Sequence, residues 1–165
     1  MLHKLLLSLD PMDTIVSDID TSRPRIKAQV YDLRIVSVKR EPSKDNEGER
    51  LTITHETTAP AQSTEGETVN AGHRIIKYMG ISEKPERMVD DGKGGQKKVN
   101  AYTREDIAKA LAGIGKAARL SVTPRQLLEN PQQLEGIVVR AKVRIDKETS
   151  TFPENNSIGD YVVVK

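Results

Sequence analysis

Three basic residues near the C-terminal end of the sequence have a spacing that could serve nucleic-acid binding. Arg140, Lys142 and Arg144 stand two residues apart, with apolar residues between them. Successive side chains of a β-strand point to opposite faces, so a strand here places the three cations on one face, roughly 6 to 7 Å apart. This is close to the phosphate spacing of an extended single strand. The pattern predicts a phosphate-binding stripe; the alternative is a solvated face with gatekeeping charges.

Further basic residues could extend this stripe. They lie on the first and third predicted strands and in the loop after the first: Arg34, Lys39, Arg40, Lys44, Arg74 and Lys77. Acidic residues are interleaved with these cations between residues 41 and 49. The sequence alone therefore does not show that the charges share one groove.

Aromatic side chains, on which bases stack with about 1 to 3 kcal/mol each, are scarce. The chain has four Tyr, one Phe and no Trp. Tyr31 and Tyr161 are expected to fill the core. Tyr78 and Phe152 are the best stacking candidates, with core packing as the alternative for both. The small supply of aromatics counts against tight binding driven by stacking.

Patterns for catalysis and metal binding are missing from the sequence. His3, His55 and His73 are too scattered for a metal site, and the absence of Cys excludes thiol nucleophiles and Cys zinc sites. The pair Asp18 and Asp20 lacks the later Gly and Glu of a calcium loop. The glycine-rich segments lack the spacing of a phosphate loop. We predict a protein that is not an enzyme, with no catalytic residue, metal or cofactor.

Composition predicts one domain with appendages. The chain has 165 residues, 36% of them hydrophobic, and a net charge of +2, so its overall field favours no partner strongly. No stretch reaches the ~20 apolar residues that span a bilayer, which predicts a soluble protein without a membrane partner. We divide it into an N-terminal arm and lead-in segment (1–27) and a barrel domain (28–165). The leucine-rich residues 1–9 are expected to pack on the barrel, on a second copy or on another protein.

Periodicity then predicts the elements that position these residues. Strands are expected at 28–40, 51–56, 67–79 (with an interruption at 70–72), 137–146 and 161–164, a helix at 103–119 capped by Thr103, and a short turn opening at Thr123. Alternation slips between Ile35 and Val36, which predicts a β-bulge. Residues 41–49, 57–66 and 147–156 are expected to be loops, and residues 80–102 the least ordered part.

The predicted order is three strands, a helix and two strands. It predicts a mainly β fold, a five-stranded OB-like barrel with one helix plugging an end and an N-terminal arm.

Three segments carry a family resemblance. The segments 30–44, 134–143 and 155–161 resemble small phage proteins related to single-stranded-DNA-binding proteins, over about residues 28–164. The resemblance implies an OB-fold that coats single strands during phage replication or recombination, in the cytoplasm of the infected host cell. Many members carry an acidic C-terminal tail that recruits partners. This sequence instead ends in Val-Val-Val-Lys165.

Two functions follow as hypotheses. The first is non-catalytic binding of single-stranded DNA along the Arg140, Lys142 and Arg144 face, helped by loops 41–49 and 147–156. The alternative is a phage virion structural or assembly protein, using the same barrel and residues 1–9 for protein contacts. Near-neutral charge and few aromatics favour the alternative, and a continuous basic groove would favour the first.

Overall fold

The residues that the structure describes form nine strands and two α-helices. The computed structural model describes residues 10–13, 15–16, 24–44, 47–147, 149 and 154–163. In chain order the elements are β1 (Val30–Pro42), β2 (Glu49–Thr57), β3 (Ala61–Gln62), β4 (Thr68–Val69), β5 (Arg74–Gly80), β6 (Arg87–Asp90), β7 (Gln96–Val99), α1 (Arg104–Ala117), α2 (Pro124–Glu129), β8 (Val138–Asp146) and β9 (Asn155–Val162). Five strands form one antiparallel sheet in the order β5-β2-β1-β8-β9.

The predicted β-bulge in β1 is confirmed. Ile35 pairs with His55 and Ser37 pairs with Thr54, so Val36 is the extra residue. Ile35 and Val38, three positions apart, are both buried. The extra residue lets the bent strand direct apolar side chains into the same core on both sides of the bend.

The predicted alternation of β8 is confirmed as well. Val139, Ala141 and Val143 are each no more than 1% exposed. The three basic residues between and after them are exposed. The strand begins at Val138, one residue later than predicted.

The predicted helix start is confirmed by its cap. The Thr103 hydroxyl accepts a hydrogen bond from the Asp106 backbone N–H at 3.2 Å, and the Asp106 carboxylate accepts one from the Thr103 N–H at 2.8 Å. This capping box satisfies two backbone donors at the N-terminus of α1. Helix α2 begins in the same way, with Thr123 as its cap.

The core consists of two clusters. One lies beneath α1 and combines Ile107, Leu111 and Ile114 of the helix with Ile53 and other apolar residues of the sheet. The second, which α1 does not cover, contains Ile26, Leu33, Ile75, Val143 and Ile158, with two alanines. The helix therefore closes only one of the two clusters.

The sheet does not close into a barrel, which corrects the barrel prediction. Within the described residues, β5 and β9 are the two edges of the sheet and no ladder pairs them. The sheet curls enough to bring these edges close together. Side chains fill the seam between them: the Lys77 Nζ lies 5.6 Å from the centre of the Tyr161 ring. Lys77, on the core-facing side of β5, therefore contacts β9 through its side chain, without backbone pairing between the two strands.

Two predicted loops contain strands. The short hairpin β3-β4 lies partly in 57–66, and the hairpin β6-β7 lies in 80–102, which was expected to be the least ordered region. A bridge between Lys84 and Tyr102 closes the base of β6-β7. Its strands are short and mostly polar, so they show little of the alternation that marks a half-buried strand.

The last strand begins six residues before its predicted start. β9 starts at Asn155, inside the predicted loop 147–156. The side chain of Asn156 is buried and holds the Ile26 backbone, accepting from its N–H at 2.9 Å and donating to its carbonyl at 3.0 Å. Because Asn156 is buried but polar, hydrophobic periodicity did not predict that β9 begins here.

Residues 1–9, the pair Asp18 and Asp20, and Phe152 lie outside the described residues. In the described part of the chain, no helix is long and apolar enough to cross a membrane.

Candidate nucleic-acid interface

The basic stripe of β8 points away from the core, as predicted, but two of its members have contacts. The Arg140 Nε lies 3.1 Å from the Asp32 carboxylate on β1. Arg144 lies against Gly159 of β9, where a Cβ atom would stand 2.8 Å from the Arg144 Nε. Lys142 is exposed opposite Val30. The stripe is therefore partly neutralised at one end.

A second group of side chains forms a row across β1, β2 and β5. Lys39 pairs directly with Thr52, and Thr52 pairs directly with Tyr78. The three lie on the outer face, since their neighbours Val38, Leu51 and Met79 are buried. Tyr78 is 57% exposed, so its ring is accessible from solvent.

Arg50 lies against the ring of Tyr78. Its guanidinium carbon is 4.2 Å from the ring centre, within the range of a cation–π contact. The same guanidinium binds the Glu41 carboxylate at 3.1 Å, and the Thr52 hydroxyl donates to that carboxylate. The hydrogen bonds from Thr52 and Arg50 lower the pKa of Glu41. This network fixes the arginine over one side of the aromatic ring.

Neighbouring rows continue this outer face. Ser37, Thr54 and the 38%-exposed Ile76 form the next row. One row further, Arg34 and Arg74 flank Glu56, and Arg74 Nε lies 3.1 Å from the Glu56 carboxylate. We call the outer face built by these rows and the Tyr78 row the β1-β2-β5 face. It combines an aromatic ring, hydroxyls and cations.

Not every predicted site residue reaches this face. Lys77 lies on the opposite side of β5, in the seam, where burial lowers its pKa. Arg40 forms an ion pair with Glu49 and donates to the Leu128 carbonyl of α2 at 3.4 Å. Lys44 is exposed in the connection between β1 and β2. Lys77 does not share the β1-β2-β5 face with Tyr78, because its parity on β5 matches that of the buried residues Ile75 and Met79.

A buried polar pair braces the interior next to the seam. The His55 Nδ1 lies 3.1 Å from the Ile75 carbonyl, which can only accept, so Nδ1 carries the proton. The His55 Nε2 then accepts from the Tyr161 hydroxyl at 2.8 Å. Burial lowers the pKa of His55 to about 4 and raises the pKa of Tyr161. Both groups are neutral at pH 7 and serve the structure.

The sequence reasoning missed Arg50 as a site residue. The alternation of β2 could have found it, because Arg50, Thr52 and Thr54 alternate with buried residues and so share the face of Tyr78 once β2 pairs with β5. The sequence reasoning also did not place Tyr102, at the base of the β6-β7 hairpin, near Tyr78. The Tyr102 ring lies next to Gly80, two residues after Tyr78, where a Cβ atom on Gly80 would stand 3.5 Å from the ring.

Metal-binding clusters are absent from the part of the chain that the structure describes, where no three His, Asp or Glu side chains converge. Comparison with known proteins adds no identification. No protein-family model matches the chain, and no curated protein is significantly similar to it.

Proposed function

We propose that this protein binds single-stranded DNA without catalysis, through the β1-β2-β5 face. One observation carries the proposal: Tyr78, an exposed aromatic ring, lies in one cross-strand row with Lys39 and has Arg50 packed against it. Proteins that bind single strands combine aromatic rings that stack on bases with cations that follow the phosphates. This face has both.

The order of elements supports an OB-like fold for the proposed binder. The five strands of the main sheet run in the order third, second, first, fourth and fifth, and the main helix lies between the third and the fourth along the chain. OB-folds bind oligonucleotides on the face of their second and third strands, which correspond to β2 and β5 here. The fold does not establish the function, and the side chains of this face are the stronger support.

In the proposed mode, a base stacks on the open side of the Tyr78 ring. Lys39 lies in the same row to neutralise a phosphate, while Arg50, paired with Glu41, supports the other side of the ring. Successive outward residues of a strand are about 7 Å apart, close to the repeat of an extended strand. Thr52 and Thr54 add hydroxyl groups between the charges. Lys142 and its neighbours on β8 lie on the other side of β1 and would take phosphates of the same strand where it continues.

The resemblance to phage single-stranded-DNA-binding proteins extends the proposal to phage replication or recombination in the host cytoplasm. The alternative, a virion structural or assembly protein, becomes the better interpretation if DNA is not bound.

The test is a fluorescence-anisotropy titration of a labelled oligothymidine with the full chain at several salt concentrations. We expect binding at micromolar protein and low salt, weakened by added salt. Tyr78→Ala should raise Kd about 5- to 150-fold, since stacking contributes about 1 to 3 kcal/mol per base, and this loss should persist at high salt.

Met88→Ala is the matched control. Met88 is 56% exposed on β6, away from the Tyr78 row, so its truncation should leave Kd unchanged. No binding by the unaltered chain, or equal Kd values for the Tyr78→Ala variant and the unaltered chain, would contradict the proposed face.

A further inference from the structure

A large open groove lies on the helical side of the described structure, and Tyr78 is not among its lining residues. It has a volume of about 920 Å³ and lies between the end of β5, α1 and the start of α2. Apolar side chains form its floor: Ile81, Ile107, Ala108, Leu111, Pro124 and Leu128. A groove of this size could take several apolar side chains of a short peptide.

The rim of this groove is mostly basic. Arg104 and Arg125 line it, against one acidic residue, Glu83. Neither arginine forms an ion pair with any described residue. An apolar floor with two available guanidinium groups suits an apolar segment that carries carboxylates.

This chain contains such a segment before its first strand. Within 10–16, Met12 is 90% exposed, Ile15 is 69% exposed and Val16 is 84% exposed. Asp10 and Asp13 add two carboxylates to the same segment. Three large apolar side chains so close together are rarely left in water without a partner.

We propose that residues 10–16 of one copy dock in the groove of a second copy. Within one copy Met12, Ile15 and Val16 are exposed and the groove is open, so docking between two copies covers both. The carboxylates of Asp10 and Asp13 face Arg104 and Arg125 in this arrangement, and Met12, Ile15 and Val16 cover the floor. Reciprocal exchange gives a closed dimer, and one-way docking gives a chain of copies.

The proposal is tested by sedimentation velocity of the full chain over a range of protein concentrations. We expect the mass to rise above the 18.3 kDa of one copy as concentration increases. The triple variant Met12→Ser, Ile15→Ser, Val16→Ser should stay at the mass of one copy. Met88→Ser, which removes a comparably exposed apolar side chain elsewhere, should associate like the unaltered chain.

Charge reversal separates this contact from other forms of association. Arg104→Glu with Arg125→Glu should abolish self-association, and adding Asp10→Arg with Asp13→Arg should restore it. Circular dichroism of each variant checks that the fold is retained. A mass of one copy at every concentration, or association that survives the triple variant or the charge reversal, overturns the proposal.

A fluorescein-labelled peptide of residues 8–20 distinguishes docking within one chain. Binding of this peptide to the triple variant, with Arg104→Glu and Arg125→Glu abolishing that binding, supports the assignment of segment to groove. If the peptide binds in this way but the unaltered chain remains a single copy at all concentrations, the segment docks in the groove of its own chain. That outcome overturns the two-copy arrangement.

Discussion

At the scale of single residues, Arg50 and His55 show how positions on opposite faces of one strand take different roles. Arg50 lies on the outer face of β2 against Tyr78, whereas His55 is completely buried on the inner face. The alternation of the strand separates them. The outer residue is charged and is paired with Glu41, and the inner one is held neutral by burial.

The buried histidine predicts a pH dependence of stability. The pKa of His55 is about 4 in the fold and 6.5 in a model peptide, so the unfolded chain takes up the proton first as pH falls. The stabilisation from neutral His55 is therefore complete above about pH 6.5 and is lost progressively as pH falls to about 4. The difference between the two pKa values corresponds to roughly 3 kcal/mol of unfolding free energy.

His55→Gln tests this dependence, because a glutamine amide can donate to the Ile75 carbonyl and accept from Tyr161 without titrating. Urea unfolding of both proteins at pH 7 and pH 4.5 gives the comparison. The stability advantage of the unaltered chain over the variant should shrink at the lower pH. An advantage of equal size at both pH values would show that His55 does not titrate in this way.

At the scale of elements, β1 connects the two surfaces that could bind DNA. Residues 30–34 pair with β8 along one edge of β1, and residues 33–42 pair with β2 along the other edge, on both sides of the bulge at Val36. The Arg140 stripe and the Tyr78 row therefore lie on opposite sides of one bent strand. Each surface can be disabled without touching the other.

The β8 stripe should contribute to the salt dependence of DNA binding. Replacing Arg140, Lys142 and Arg144 together by Gln removes three charges from the outer face while the buried residues between them stay. Counterion release from a single strand contributes a slope of about −0.7 per phosphate contact, so the slope of log K against log salt should flatten by up to about 2. A change of about 2 in this slope is an upper bound, because Arg140 is already paired with Asp32.

The measurement is the oligothymidine titration at four or more salt concentrations. Lys93, Lys109 and Lys116, three exposed cations outside β8, provide a matched control when changed to Gln. A slope that is unaltered in the β8 variant, or equally altered in the control, would remove the stripe from the DNA-binding surface.

At the scale of the whole molecule, a net charge of +2 leaves little long-range attraction for DNA. The proposed DNA binding therefore relies on local surfaces. We propose different partners for the outer face of the sheet and for the helical groove: DNA for the face and a second copy for the groove.

Deletion of residues 1–9 tests the expected role of the N-terminal arm. Burial of its five leucines at roughly 25 cal/mol per Å² would stabilise whichever surface they cover. Melting temperature should fall if they cover their own sheet, by about 2 to 4 °C for each kcal/mol lost, and apparent mass should fall if they cover a neighbour. Thermal melts and light scattering of both chains check this, and no change in either would show that the arm packs on neither.

Much of the local structure could be predicted from the sequence. The bulge at Val36, the outward cations of β8, the Thr103 cap and the short turn that opens at Thr123 were all predicted, because each depends on side-chain types within a few residues. The order of the five main strands and the helix followed from the same local patterns. Tyr78 was likewise predicted to be a stacking candidate.

Only the tertiary structure decided which residues meet across the chain. The contact of Arg50 with Tyr78 needs β2 beside β5, and the burial of Asn156 needs Ile26 more than a hundred residues away. The open seam at Lys77 and the groove below Arg104 depend on how far the sheet curls and where two helices settle against it. Such features arise from packing between segments that are far apart in the sequence, and the periodicity within one segment does not predict them.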